Sequence, residues 1–330
     1  MNSFGRIFRV HIFGESHGYC AGVTIDGCPA GLSLTEEDFV TDIERRKGGT
    51  KGTTPRKEDD IPKIISGWFN GKTTGAPLTI LFENKNTRSG DYEKQRAFPR
   101  PGHADFVAQK KFGGFEDFRG SGHFSGRLTV SMVAAGVVAK KILNGINVTS
   151  SILEIGGEKD IDTGLQKAID EKDSIGGIVE CRVTGLPVGL GEPFFDSVES
   201  VISHAVFAIP AVRGIEFGTG FAAAKMFGSK HNDAIADATG KTVTNHAGGV
   251  VGGISNGNEL VFRIAIKPTS STPKEQTSLN WETNTVEDFS IKGRHDLCIA
   301  LRVPVVLEAV TAFVLADLMM LEDHIKRIAG

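Results

Sequence analysis

Three short glycine-containing segments collect groups that move protons and hold anions. They are Gly14-Glu15-Ser16-His17-Gly18, Arg100-Pro101-Gly102-His103-Ala104-Asp105 and Gly293-Arg294-His295-Asp296. Each sets an imidazole beside hydroxyl, carboxylate or guanidinium groups. Imidazole titrates near neutral pH, so such a grouping suits acid–base chemistry. None of the three has helical or strand periodicity, which places them on loops carried by a rigid scaffold. A fourth segment, Gly120-Ser121-Gly122-His123-Phe124-Ser125-Gly126-Arg127, runs into an apolar helical stretch. Backbone N–H groups at a helix start attract anions, glycine lets an anion come close, and Ser125 is a fitting N-cap.

Further cations lie nearby in sequence. Between Arg45 and Lys57 there are six bases (Arg45, Arg46, Lys47, Lys51, Arg56 and Lys57) and no acid. Guanidinium groups bind carboxylate and phosphate in a fork, so this stretch is expected to form a charged lid over a polyanionic small molecule. Lys267, Pro268, Thr269, Ser270 and Ser271 follow a strand-like run and offer one cation and three hydroxyls, a phosphate cradle. Asn245-His246-Ala247-Gly248-Gly249 and Gly252-Gly253 form a turn of close backbone approach. His11, His204 and His324 sit on strand- or helix-like runs and are expected to be structural.

Two motif matches point elsewhere. The 14–18 segment fits the G-x-S-x-G nucleophile elbow, but turn and strand signals follow the serine where an elbow needs a helix. Gly218-Thr219-Gly220-Phe221-Ala222-Ala223 fits the dinucleotide fingerprint, with Asp237 downstream, and supports an alternative reading as an NAD(P)-dependent oxidoreductase. It lacks the regular strand–helix–strand alternation that such a site requires.

The elements that must position these groups read as follows. Strand-like runs fall at 7–13, 22–26, 78–82, 177–184, 215–217 and 260–266. Helical runs fall at 36–47, opened by the capping pattern Thr35-x-x-Asp38, and at 127–143, 198–207 and 305–328. Residues 303–321 are strongly apolar but interrupted by Glu308 and Asp317, as in a buried helix rather than a membrane span. The hexapeptides Gly27-Cys28-Pro29-Ala30-Gly31-Leu32 and Gly185-Leu186-Pro187-Val188-Gly189-Leu190 share the pattern G-x-P-x-G-L, each after a strand and before a helix. This echo predicts two related halves.

The chain has 330 residues, 40% hydrophobic and 23% charged, enough for a proper core. Its net charge of −3 argues against a nucleic-acid-coating protein. The N-terminus has no apolar signal region. Cys20, Cys28, Cys181 and Cys298 form no CxxC pair, so free thiols of a cytosolic protein are expected, without a zinc site or disulfide framework.

Together, the segments 14–18, 100–105, 125–127, 245–255, 267–271 and 294–296 resemble the chorismate synthase family, in the family's order, over about residues 4–322. The resemblance implies a single α+β domain over 1–330, a β-α-β sandwich with antiparallel sheets around a central helical layer, in a cytoplasmic homotetramer. It implies an anti-1,4-elimination that turns 5-enolpyruvylshikimate 3-phosphate into chorismate and phosphate, in the shikimate pathway to aromatic amino acids. Reduced FMN is required without net redox change. At this length the enzyme is expected to be monofunctional, with NADPH acting only indirectly through an external flavin reductase. No metal, nucleic acid or membrane enters the expected activity. By the same resemblance, His17 protonates the departing phosphate and His103 the flavin, with Ser16 and Asp296 as a proton relay. Arg46, Lys51, Arg100 and Arg127 hold substrate. His123, Phe124, Ser125, Pro210, Ala211, Gly252, Lys267, Pro268, Thr269, Ser270, Ser271 and Arg294 hold FMN. The chain departs from the family's usual residues at Lys51, at His123-Phe124 and at Leu297, where Arg, Arg-Ser and Pro are common.

Overall fold

A computed structural model describes residues 1–55, 58–85, 96–291 and 295–324. Two antiparallel sheets enclose a pair of long helices. The first sheet comprises β1 (Ser3–Phe4), β2 (Arg9–Gly14), β3 (Cys20–Asp26), β4 (Lys63–Ser66) and β5 (Leu78–Glu83), in the order β1-β2-β3-β5-β4. The second comprises β6 (Asn147–Ile155), β7 (Gly177–Thr184), β8 (Val212–Phe217) and β9 (Leu260–Ile266), in the order β8-β9-β7-β6. A hairpin of β10 (Gln276–Asn280) and β11 (Thr285–Phe289) stands apart. The longer helices are α1 (Val40–Arg46), α2 (Asp105–Phe112), α3 (Thr129–Ile142), α4 (Ile161–Glu171), α5 (Val198–Val206) and α6 (Val303–His324).

The two long helices form the middle layer. α3 lies against α6 and against β2, β3 and β5; α6 lies against β6, β7 and α5. Apolar residues surround both helices because both faces meet protein, so neither shows the one-sided stripe of a surface helix. α6 is apolar enough to span a bilayer by composition, but 78% of its most apolar window is buried in the protein. The two carboxylates inside its apolar stretch, Glu308 and Asp317, are both partnered. Glu308 accepts from Arg45, Lys140 and the Ser150 N–H, and Asp317 accepts the backbone N–H groups of Arg6, Ile7 and Phe8. A buried carboxylate persists only with such partners.

The echo in the sequence is an echo in the fold. Each half runs strand, strand, G-x-P-x-G-L turn, helix, strand, strand, long helix, and each sheet orders those four strands alike: β2-β3-β5-β4 and β6-β7-β9-β8. The first half inserts α2 before its long helix; the second inserts α4 between its first two strands and the β10–β11 hairpin before its long helix. Gly27 and Gly185 occupy matching places with φ +76 and +83. A Cβ on Gly27 would lie 1.9 Å from the Ile7 carbonyl oxygen, and one on Gly185 would lie 2.4 Å from the Gly145 carbonyl oxygen. In both, the chain leaves its strand so close to the neighbouring backbone that only glycine fits.

The structure adds elements beyond the expected runs, namely β1, β4, β6, β10, β11, α2 and α4. β6 carries mixed polar and apolar residues, α4 begins within a polar run, and α2 opens at Asp105 inside a segment expected to be a loop. The 36–47 run is a 3-10 turn, Glu36–Phe39, followed by α1, and the expected capping box of Thr35 and Asp38 is present.

Candidate active site

A cavity of about 680 Å3 opens between the first sheet, the starts of α3 and α6, and the loops after α5 and β9. Its lining cations are Arg46, Lys47, Arg100, Arg127, Lys267 and Arg302, against the carboxylates Glu58, Asp60 and Asp296. The wall is therefore positive by three charges in a chain of net charge −3. Confined positive charge raises the local concentration of anionic ligands. Away from the cations the lining turns apolar, with Ile12, Met132, Ile209 and Val306.

The first histidine loop joins β2 to β3, as a hairpin turn and not an elbow. Gly14 has φ +99, and a Cβ there would meet the Cys20 carbonyl oxygen at 2.1 Å. The loop is tied down from outside. The Ser16 N–H donates to the Gly122 carbonyl at 3.0 Å, and Asn84 Nδ2 donates to the Glu15 and Gly18 carbonyls at 2.9 Å each. His123 Nδ1 donates to the Gly14 carbonyl at 2.8 Å. Ser16 lines the cavity, and its buried Oγ has no hydrogen-bond partner among the described residues. His17 is buried beside it, packed so closely against Gly120 that a Cβ there would lie 2.4 Å from the imidazole Cδ2.

Asp105 organises the second loop. From the first turn of α2 it accepts Arg100 Nε at 2.7 Å, Arg100 Nη2 at 2.8 Å and His103 Nδ1 at 2.6 Å. Burial alone would raise its pKa, yet the Arg100 and His103 hydrogen bonds hold the carboxyl far below the usual carboxylate range. With Nδ1 donating to Asp105, the His103 ring is fixed in tautomer and direction. Arg100 also donates to Ser121 at 2.8 Å and to Ser271 at 3.1 Å, joining three loops around one guanidinium. Lys267 Nζ reaches the Gly102 carbonyl at 3.0 Å and Ser270 Oγ at 2.8 Å. Burial, then Arg213, lowers its pKa.

On the opposite side, Asp296 accepts the Thr54 N–H at 2.8 Å and Arg302 Nη1 at 3.1 Å. His295 lines the cavity next to it. Burial first, then the Arg100 charge, pushes its pKa down to about 4, so its ring is neutral at pH 7. Arg46 and Arg127 are both buried and share one carboxylate, Asp60, at 2.7 Å from Arg46 Nη2 and also bonded to Arg127 Nη1. Ser125 caps the turn that leads into α3 by accepting the Arg127 N–H at 3.3 Å.

Most expected site residues thus meet in one place. Ser16, Arg46, Arg100, His103, His123, Phe124, Ser125, Arg127, Pro210, Ala211, Lys267 to Ser271 and Asp296 all line the cavity. Lys51 does not: it points to Asp162, 3.8 Å away, with its side chain half exposed. Gly252 does not either; with φ +62 it turns the short hairpin between Val250–Val251 and Ile254–Ser255, and His17 is buried behind Ser16 rather than in the lining. The basic stretch is no simple lid, because Arg45 is drawn to Glu308 and Arg46 into the cavity wall. Arg56, Lys57 and Arg294 lie outside the described residues, as does the side chain of His324. His204, expected to be structural, stands at the apolar end of the cavity against Phe4. Residues that sequence reasoning missed are Asp60, Asn84 and Arg302. Each acts as a partner across a long sequence separation, and no local pattern marks it.

The dinucleotide reading fails on topology. β8 and β9, which flank the 218–223 segment, are antiparallel neighbours, whereas the fingerprint needs a parallel strand–helix–strand unit. The turn is also filled by the chain itself. Glu216 accepts the Phe221 N–H at 3.1 Å, and a Cβ on Gly220 would meet the same carboxylate at 2.1 Å.

Comparison with known proteins agrees with this geometry. The family model described as chorismate synthase matches residues 8–320. A chorismate synthase from Chitinophaga pinensis is 71% identical over 329 residues, covering 99% of both chains. One from Dehalococcoides mccartyi is 45% identical over 359 residues, again covering 99% of both. A crystal structure of a chorismate synthase superposes with a TM-score of 0.75 at 26% identity, over 97% of this chain and 93% of that one. With the motifs in order, the sandwich fold and the cation-lined cavity in hand, the chain belongs to the chorismate synthase family of lyases.

Proposed function

We propose that this cavity carries out the anti-1,4-elimination of phosphate from 5-enolpyruvylshikimate 3-phosphate, giving chorismate, with reduced FMN and no net redox change. The observation that supports the reading is the convergence of six cations, residues of all three histidine loops and an apolar wall on a single cavity. The substrate bears a phosphate and two carboxylates, and Arg46, Arg100 and Arg127 meet the need for several fixed cations. Phosphate leaves more readily when protonated, a task for an acid whose pKa is near neutral. His17 takes this role, with Ser16 between it and the cavity. His103, braced by Asp105, faces the flavin side and holds or moves a proton there. Asp296, oriented by Thr54 and Arg302, completes the relay.

The residues present suit FMN. Thr269 Oγ1 and His295 Nε2 are buried without hydrogen-bond partners among the described residues, and both residues line the cavity. Lys267, Ser270 and Ser271 offer polar contacts to a phosphate tail, Pro210, Ala211 and Phe124 offer apolar contact to a ring, and His123 and Ser125 brace the loop between. The chemistry expected of bound reduced FMN is transient electron supply. The enzyme acts as a monofunctional cytoplasmic homotetramer, and an external NADPH-dependent flavin reductase provides the reduced cofactor.

The test is anaerobic incubation of the protein with 5-enolpyruvylshikimate 3-phosphate, with and without dithionite-reduced FMN. Phosphate release together with chorismate absorbance, only when reduced FMN is present, is the expected result. Folded protein that binds flavin yet releases no phosphate would refute the reading. Turnover on NADPH alone, without a reductase, would refute its monofunctional part.

A further inference from the structure

Asp60 has the least exposed side chain of any ionisable residue in the cavity wall. It is fully buried, and its backbone is left-handed, with φ +50, a conformation that costs energy in a residue with a Cβ. Its two oxygens each take one guanidinium: Oδ2 accepts Arg46 Nη2 at 2.7 Å and Oδ1 accepts Arg127 Nη1. Arg46 also reaches Thr129 Oγ1 at 3.3 Å, and Arg127 Nε reaches Asn84 Oδ1 at 2.9 Å. Arg46 Nε and Arg127 Nη2 are then left buried without hydrogen-bond partners among the described residues. Both arginines are more than nine-tenths buried, and both line the cavity. A buried N–H without a partner is costly, and a ligand anion relieves two such costs at once.

The charge balance is equally specific. Without Asp60 the two guanidinium groups would present a charge of +2 in a poorly solvated wall. Any small anion would be drawn to them, including the inorganic phosphate that the proposed reaction releases. With Asp60 the group carries +1, and its donors are fixed in place.

We propose that Asp60 is a positioning and specificity residue. It holds Arg46 and Arg127 as one rigid fork of net charge +1, so that the cavity prefers an anion carried on a shaped substrate over a free small anion. The inference rests on the reading of the cavity as the substrate site. It assigns Asp60 no contact with the reacting atoms.

The experiment compares wild type, Asp60→Asn and Asp60→Glu, each loaded with oxidised FMN so that no turnover occurs. Calorimetry measures the affinity for 5-enolpyruvylshikimate 3-phosphate and, separately, for inorganic phosphate. Asp60→Asn removes the charge and keeps the size, and the ratio of substrate to phosphate affinity is expected to fall at least about tenfold. Asp60→Glu keeps the charge but moves the fork. It is expected to weaken substrate about tenfold while leaving phosphate affinity within about twofold. A purely structural role would instead weaken FMN, substrate and phosphate together in both variants. That result, or an unchanged ratio in folded Asp60→Asn, overturns the proposal. If Asp60→Asn does not fold, Asp60→Glu decides: equal loss for substrate and phosphate, or no loss for either, overturns it. If wild type binds no substrate, the reading of the function fails, while the phosphate titrations still test the charge role of Asp60.

Discussion

His103 and Asp105 stand two residues apart, one on a turn and the other opening α2, and their 2.6 Å contact sets the character of the imidazole. Removing either histidine candidate, by His103→Ala or His17→Ala, is expected to lower kcat by roughly 10²–10⁴-fold with the fold intact. Anaerobic phosphate release measures this, and wild-type turnover in either variant removes that residue from the catalytic set. Asp105 should matter to stability as well. Its folded pKa is depressed, so its contribution is full above the unfolded value of about 3.9 and is lost as the pH falls through the folded value. Asp105→Asn should therefore be less stable than wild type at pH 7, with the gap closing in acid; a gap independent of pH would contradict the linkage. His295 carries the same sign for a different reason. Burial favours its neutral form, so between the unfolded pKa of about 6.5 and the folded pKa of about 4 the unfolded chain binds more protons. Acidification across that window should destabilise the protein, and an imidazole NMR titration should place His295 near 4. A midpoint close to 6.5 would show that the ring is solvated.

At the scale of elements, the middle layer depends on how closely α3 and α6 approach. Gly136 of α3 faces Ala309 of α6, and a Cβ at position 136 would lie 2.3 Å from the Ala309 Cα. Gly136→Ala should wedge the helices apart and cost about 1–3 kcal/mol, as overpacking does. Because both helix starts carry cavity residues, substrate affinity should weaken along with thermal stability; unchanged values for both would mean the layer yields without cost. How legible these elements were follows from their surroundings. β7 and β9 are the inner strands of the second sheet, rich in β-branched and other apolar residues, and lie where the sequence predicts them. β6 is an edge strand with a mixed burial pattern, so its sequence, Asn-Val-Thr-Ser-Ser-Ile-Leu-Glu-Ile, carries little strand signal. The histidine loops were legible because glycine and charged side chains crowd together there. Asp60 was not, since its meaning comes from Arg127, 67 residues away, and Arg302 was not, since it acts by holding Asp296 and the Arg46 carbonyl.

At the scale of the whole molecule, the duplicated architecture leaves the chain with an asymmetric surface. The sandwich buries most of its helical layer, yet Phe115, Phe194, Phe195, Phe221 and Phe227 remain more than four-fifths exposed. Four of the five lie in the second half, in the turn before α5 and in the segment after β8. Single exposed apolar residues are ordinary, but several large aromatics concentrated in one half favour burial against another copy. The expected homotetramer offers that burial. Phe194→Ser with Phe195→Ser should weaken assembly without disturbing the cavity, since neither residue lines it. Light scattering should give a tetramer for wild type and smaller species for the double variant, while FMN and substrate still bind in the cavity of each chain. A wild-type monomer at micromolar concentration, or a double variant that stays fully tetrameric, would mean these phenylalanines are covered in some other way or not at all.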